Sequence, residues 1–278
     1  MLEIIPELIE IVKKAGEAVL KVYSTDFTVV SKKDSSPITQ ADRLSDNIIG
    51  SALSSLIIPQ HSKALPVLTE ESKIISYSER KSWQEFWLVD PLDGTKEFVS
   101  KNGEFTINIA LIRNNKPILG IIYAPVPDNI YYGAVEEGAY KINNVLCNNT
   151  PVELKYGKKR SFKIKNKQII INQNKQIKEL KVLTSRSHVS EKCNAFIKDL
   201  NNYDIPVKTI SAGSSLKFCI LAEDKADIYP RFGTTMEWDT AAGHAVLNSV
   251  GKKVYRHNSD KELEYNKEDL RNPWFVGF

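Results

Sequence analysis

The chain has 278 residues, 42% hydrophobic and 26% charged, which suffices for a sizeable core in one large domain or two packed halves. No apolar stretch approaches the ~20 residues of a membrane-crossing helix. The net charge is +4, yet residues 155–178 hold nine lysines and arginines and no acid. The basic character is therefore local, which argues against a nucleic-acid-binding charge spread over the molecule.

The start, with Glu3 and Glu7, lacks the basic flank of a secretory signal. Ile4, Leu8, Ile11, Ala15, Ala18 and Val22 recur at helical spacing and predict a first helix through residue 23. Residues 27–30 read as a short strand and 32–37 as a turn-rich loop. Thr39 is a suitable N-cap for a second helix carrying Asp42, Leu44, Ile48, Ile49, Leu53 and Leu56. Residues 66–69 predict a strand ending in Glu70 and Glu71, and 86–89 a buried strand ending in Asp90, Pro91, Leu92, Asp93, Gly94 and Thr95. A short helix is expected over 96–99. Residues 105–112 and 118–123 predict a hairpin turned at Asn114 and Asn115; 130–134 and 139–142 predict another pair.

The basic stretch reads as a lengthened hairpin or loop, with Ile169, Ile170 and Ile171 favouring a strand. Beyond it come a strand at 181–184, a helix through Phe196 and Leu200, a strand around Val207, a helix at 216–222 and a strand at 226–229. Asp239 is expected to open a helix over 240–249, stopped by Gly251. The chain thus divides into an α+β half (1–152), a basic insertion (153–180) and an α/β half (181–278). Cys147, Cys193 and Cys219 form no C-x-x-C pair and suit reduced thiols in a cytoplasmic protein; a membrane-peripheral location stays open.

Two carboxylates, a carbonyl, a glycine amide and a hydroxyl emerge together in residues 90–95. An oxygen-only donor set suits Mg²⁺, Mn²⁺ or Ca²⁺ rather than Zn²⁺, although an isolated match also reads as an Asx-type turn. Glu70 and Asp239 can join Asp90 and Asp93 in one pocket. Four crowded carboxylates resist ionisation unless cations accompany them. Two divalent ions ~4 Å apart answer that charge and can clamp both oxygens of an in-line displacement. Gly94 and Thr95 open the short helix, where free amides suit phosphate. The Thr95 hydroxyl can hold an attacking water, with Glu70 or Asp42 taking its proton; Asp42 reads equally as a first-turn acid favourable to the helix dipole.

The runs W-L-V-D-P-L-D-G-T-K-E-F (residues 87–98) and E-W-D-T-A-A-G (residues 237–243) resemble the two signatures of the inositol monophosphatase superfamily. The resemblance spans nearly the whole chain. It implies an α+β fold, a layered αβαβα sandwich, and a Mg²⁺-dependent, lithium-sensitive phosphatase holding two or three ions. By position, it implies metal ligands at Glu70, Asp90, the Leu92 carbonyl, Asp93 and Asp239. It places phosphate contacts at Leu92, Asp93, Gly94 and Thr95, and water activation at Glu70, Thr95 and Asp42.

Lys96, Glu97 and Phe98 make the motif similar to that of the family's bacterial 3′(2′),5′-bisphosphate nucleotidase branch. The segments 185–188, 213–219 and 229–233 agree with that branch. They imply nucleotide contacts from Ser185, His188, Gly213 and Lys217, with Lys217 meeting the second phosphate; Arg231 stays open between substrate and a surface acid. The expected activity is hydrolysis of adenosine 3′,5′-bisphosphate to AMP and phosphate, extending to the sulfated analogue. The partner is then a small nucleotide, and monomer and homodimer are both compatible. The alternatives are an inositol or broad sugar phosphatase and a non-catalytic nucleotide or RNA binder. The basic stretch reads as a solvated face or as a lure for anionic substrate or RNA.

Overall fold

The computed structural model describes residues 1–31, 37–71, 75–147, 149–155, 162–165, 168–171, 178–186, 190–200 and 205–278. Helix α1 (Ile5–Tyr23) carries Pro6 in its first turn and buries Leu8, Ile11, Val12, Ala15, Val19 and Val22 along one stripe. Strand β1 (Val30–Ser31) pairs with β2 (Pro37–Ile38). The strand expected from residue 27 starts only at Val30, and the Phe27 ring packs 4.8 Å from that of Phe98 instead. Helix α2 (Gln40–Leu53) begins at Thr39, which forms a capping box with Asp42. It ends before Leu56, because the Ser54 and Ser55 amides close the last turn on Gly50 and Ala52.

Seven strands follow in one sheet: β3 (Val67–Thr69), β4 (Glu85–Asp93), β5 (Thr106–Arg113), β6 (Lys116–Ala124), β7 (Asn129–Ala134), β8 (Gly138–Asn143) and β9 (Val152–Leu154), in that order. Helix α3 (Tyr77–Arg80) lies between β3 and β4, and α4 (Thr95–Val99) follows β4. The β3–β4 pair is parallel and the others antiparallel. The β5–β6 turn uses Asn114 and Asn115, both at positive φ, as a two-residue hairpin with a right-handed twist requires.

The central strands read as unbroken apolar runs because both faces are covered. Trp87, Val89, Ile107, Ile109, Leu111, Leu119, Ile121 and Tyr123 pack with α1 and α2. Their alternates Phe86, Leu88, Ala110, Ile112 and Ile122 pack on the opposite side. That side is covered by α6 (Leu216–Ala222) and α7 (Glu237–Ser249).

Strands β10 (Phe162–Lys165) and β11 (Gln168–Ile171) form a hairpin containing Ile169, Ile170 and Ile171; residues 156–161, 166–167 and 172–177 of the basic stretch lie outside the described residues. The second layer of strands begins with parallel β12 (Leu180–Ser185) and β13 (Val207–Ala212), joined through α5 (Glu191–Leu200). A bridge from Val182 to Ile228 links β12 to β14 (Tyr229–Arg231), which pairs with β16 (Phe275–Gly277), itself paired with β15 (Val254–Arg256). The strand expected over 226–229 is displaced toward residue 231; at its start the Asp227 carboxylate accepts the Lys181 amide at 2.7 Å.

Leu183, Tyr229, Val254 and Phe275 of this second layer share a core with α6 and α7. Leu180, Val182, Phe232 and Val276 pack with Cys193, Phe196 and Leu200 of α5. Helices, sheet, helices, strands and helix therefore stack as an αβαβα sandwich. Helix α7 starts at Glu237, three residues earlier than expected. The buried Glu237 carboxylate accepts the Asn266 amide (2.6 Å) and the Lys267 ammonium (2.5 Å), which fixes that turn.

Candidate active site

Alternation along β4 puts Phe86, Leu88 and Asp90 on the α7 side. Asp90 pairs with Asn108 and Asp93 with Thr106, so β4 carries one extra residue. This bulge restores Asp93 to the Asp90 side and sends Leu92 into the opposite core. The motif is accordingly the bulged end of β4, not a turn following it. Helix α7 lies across the same face and brings in Asp239 from its first turn. Glu70, one residue beyond β3, is tied by its amide to the Val89 carbonyl at 3.2 Å.

These four carboxylates feel one another. Burial, then the charges of Glu70, Asp93 and Asp239, push the Asp90 carboxyl well above its ordinary range. Burial, then Asp93 and Glu70, do the same to Asp239, partly offset by the Met236 amide and Arg231. Each aspartate is steered by one oxygen: Asp90 Oδ1 accepts the Leu92 amide (3.1 Å), and Asp239 Oδ2 accepts the Met236 amide (2.9 Å). Asp93 Oδ2 accepts the Ser214 and Ser215 hydroxyls (2.7 and 2.8 Å). Their other oxygens carry no hydrogen bond among the described residues. A buried, mutually repelling oxygen set with one oxygen fixed and one available fits hard divalent cations. Among the described residues no three acidic, histidine or cysteine side chains close on a single point.

Gly94 turns the chain at φ +88° to start α4, a conformation open to glycine. Thr95 follows, and its hydroxyl donates to Asp42 Oδ1 at 3.2 Å and lies 3.5 Å from the Leu92 carbonyl. Asp42 Oδ2 accepts the Thr39 amide and hydroxyl at 2.8 and 2.7 Å. Asp42 thus caps α2 and also accepts the Thr95 hydroxyl at the start of α4.

Asp93, Gly94, Asp239, Ser185, Gly213 and Lys217 line one cavity of about 180 Å³, together with Lys96, Glu97, Arg186 and Arg231. Lys217 is buried, not a solvated helix residue; its ammonium donates to the Ala212 and Ser214 carbonyls at 3.1 and 2.6 Å. Burial lowers its pKa to about 8. Among the described residues Arg231 pairs with no surface acid; it donates to the Ser185 hydroxyl and to the Thr234 carbonyl. Gly213 does allow a close approach, but of protein on protein: a Cβ there would meet Glu97 Cγ at 2.7 Å and the Glu104 carbonyl at 2.9 Å. His188 lies outside the described residues.

The inositol monophosphatase family profile matches residues 1–272. The chain belongs to the inositol monophosphatase family. It is 39% identical to the 3′(2′),5′-bisphosphate nucleotidase CysQ of Escherichia coli K12 over 97% of both chains. The crystal structure of CysQ from Bacteroides thetaiotaomicron, a bacterial member of the family, is 38% identical and superposes with a TM-score of 0.77, covering 97% of this chain and 94% of that one. The suhB protein of Bartonella henselae shares the fold at 22% identity, with a TM-score of 0.69 over 99% of this chain and 93% of that one.

In this family member the hydroxyls steering Asp93 were not singled out in the sequence. Thr106 and Asn108 hold Ser214 and Ser215 at 2.5 and 2.9 Å. The signal was present: Thr106 and Asn108 are buried polar residues at alternate positions of an otherwise apolar strand, and buried polar groups need partners.

Proposed function

We propose that the protein is a Mg²⁺-dependent 3′(2′),5′-bisphosphate nucleotidase that hydrolyses adenosine 3′,5′-bisphosphate, and its sulfated analogue, by direct attack of water. The identity to the Escherichia coli CysQ nucleotidase over 97% of both chains carries this reading. The cavity supports it, because Lys96, Arg186, Lys217 and Arg231 share it with the carboxylates. A second phosphate calls for cations beyond those serving the first.

Glu70, Asp90, the Leu92 carbonyl, Asp93 and Asp239 would hold two or three Mg²⁺ ions, which when bound neutralise the phosphate and favour ionised water. The Gly94 and Thr95 amides would take phosphate oxygens at the start of α4. Thr95 Oγ1 gives its own proton to Asp42 Oδ1 and so presents a lone pair to the attacking water. Glu70, held at the end of β3, accepts the second hydrogen bond of that water. Two of the three Lys217 ammonium protons are held by carbonyls, leaving one for the uncleaved phosphate.

Purified protein with Mg²⁺ should release inorganic phosphate from adenosine 3′,5′-bisphosphate and leave 5′-AMP, and chelation of the metal should stop it. Changing Glu70 to Gln should cut the rate by at least a hundredfold; undiminished release from that variant would overturn the role given to Glu70, and no release from the wild-type protein would return it to the class of binders.

A further inference from the structure

One group at the site belongs neither to the metal ligands nor to the nucleotide contacts. Glu104 stands just before β5, in the first half of the chain. Its Oε2 accepts the Gly213 amide at 2.8 Å, and its two oxygens accept Arg186 Nε and Nη2, each at 2.5 Å. Arg186 returns to the same segment by donating to the Ser211 carbonyl at 3.2 Å. Hydrogen bonds from Arg186 and Gly213 outweigh burial and hold the Glu104 carboxyl below its usual range. The segment thus gripped leads directly into Ser214, a non-glycine residue at φ +50°, and Ser215. Such a conformation persists when its surroundings enforce it. On its other side Lys217 pins the Ala212 and Ser214 carbonyls. The Ser214 and Ser215 hydroxyls then reach across to Asp93 Oδ2.

We propose that Glu104 is a positioning residue: by gripping the Gly213 amide it holds the 213–215 turn so that two serine hydroxyls aim Asp93 at the ion it would ligate. The inference rests on the metal reading of the site given above. Asp93 is half of the bulged motif, and its side chain has no other hydrogen bond among the described residues, so its aim depends on that turn. The sequence separation is large: the turn is more than a hundred residues from both Asp93 and Glu104. Glu104 therefore adds a grip on the backbone of the turn to the side-chain contacts that Thr106 and Asn108 make with Ser214 and Ser215. Hydrogen bonds behind a metal ligand typically contribute 10–100-fold in affinity.

The test is calorimetric titration of substrate-free wild-type, E104A, E104Q and G213A protein with Mn²⁺, with thermal unfolding followed in parallel. E104A should weaken Mn²⁺ binding at least tenfold. E104Q, whose amide oxygen still accepts the Gly213 N–H, should recover most of that loss. G213A, whose Cβ displaces the turn from Glu97 and Glu104, should behave like E104A and serves if E104A does not fold. Removing both serine hydroxyls should cost much less in E104A than in the wild type. Wild-type binding with E104A and G213A within twofold of it overturns the clamp alone; so does full additivity with the serine changes. A wild-type protein that takes up no Mn²⁺ ends the metal reading, and the clamp with it.

Discussion

Thr95 Oγ1 lies 3.2 Å from Asp42 Oδ1, while the other oxygen of that carboxylate is held by the backbone and hydroxyl of Thr39. One side chain thus fixes the start of α2 and the start of α4. The two duties separate on substitution. Asp42→Asn keeps an oxygen for the cap and should change stability by less than about 1 kcal/mol, yet it cannot take up a proton and should lower kcat ~100-fold or more. Thr95→Ala should lower kcat comparably, with Thr95→Ser restoring much of it. Steady-state kinetics beside thermal denaturation checks both.

Lys217 gives a pH signature. Burial brings its pKa down from 10.5 to about 8, so the ammonium is lost as pH rises through that value. The value of kcat/KM for the bisphosphate should fall above pH ~8. Lys217→Met should be lower by roughly 10–100-fold, as for a lost charge-assisted hydrogen bond, and should show no inflection there. A pH–rate profile of both proteins decides it.

Asp90 and Asp239 have raised pKa values in the fold. A carboxyl raised above its unfolded value contributes stability present at acid pH and lost as pH rises through the folded pKa. Without metal, these two groups should therefore destabilise the protein increasingly from acid toward neutral pH. Saturating Mg²⁺ should raise the unfolding temperature more at pH 8 than at pH 5, by about 2.7 kcal/mol of stability at a hundredfold excess over Kd. Thermal unfolding with and without Mg²⁺ at the two pH values measures this.

Most of the architecture was legible because its signals are local. The stripe of α1, the Thr39 cap of α2 and the Asn114–Asn115 turn each lie within a few residues of sequence, and each appears in the fold. The apolar run at 86–89 announced a buried strand, and β4 is buried there. What was not legible depends on distant partners. The extra residue between Asp90 and Asp93 shows only against Asn108 and Thr106 of the neighbouring strand. The early start of α7 follows from Glu237 binding Asn266 and Lys267. The burial of Lys217, which looks like a surface lysine in sequence, follows from carbonyls that a folded turn presents to it. The four carboxylates were readable as a set because each sits at the end of a patterned element; the serines that aim one of them were not.

Gly94 combines a positive φ with crowding: a Cβ there would lie 3.2 Å from Ser214 Cβ and 3.3 Å from the Glu104 carbonyl. Gly94→Ala should destabilise by roughly 1–2 kcal/mol from the left-handed backbone alone. Because the displaced neighbours are those that support Asp93, activity should fall further than stability. Unfolding curves and kcat measured on one preparation distinguish the two effects.

The central claim concerns which phosphate ester the cavity was built to take. The most direct measurement is kcat/KM for adenosine 3′,5′-bisphosphate and for inositol 1-phosphate, on the same protein at the same Mg²⁺ concentration. If Lys217 serves a second phosphate as proposed, the bisphosphate should be preferred by at least a hundredfold, and that preference should shrink in Lys217→Met. Equal turnover of the two, or a preference for the inositol ester, would contradict the account.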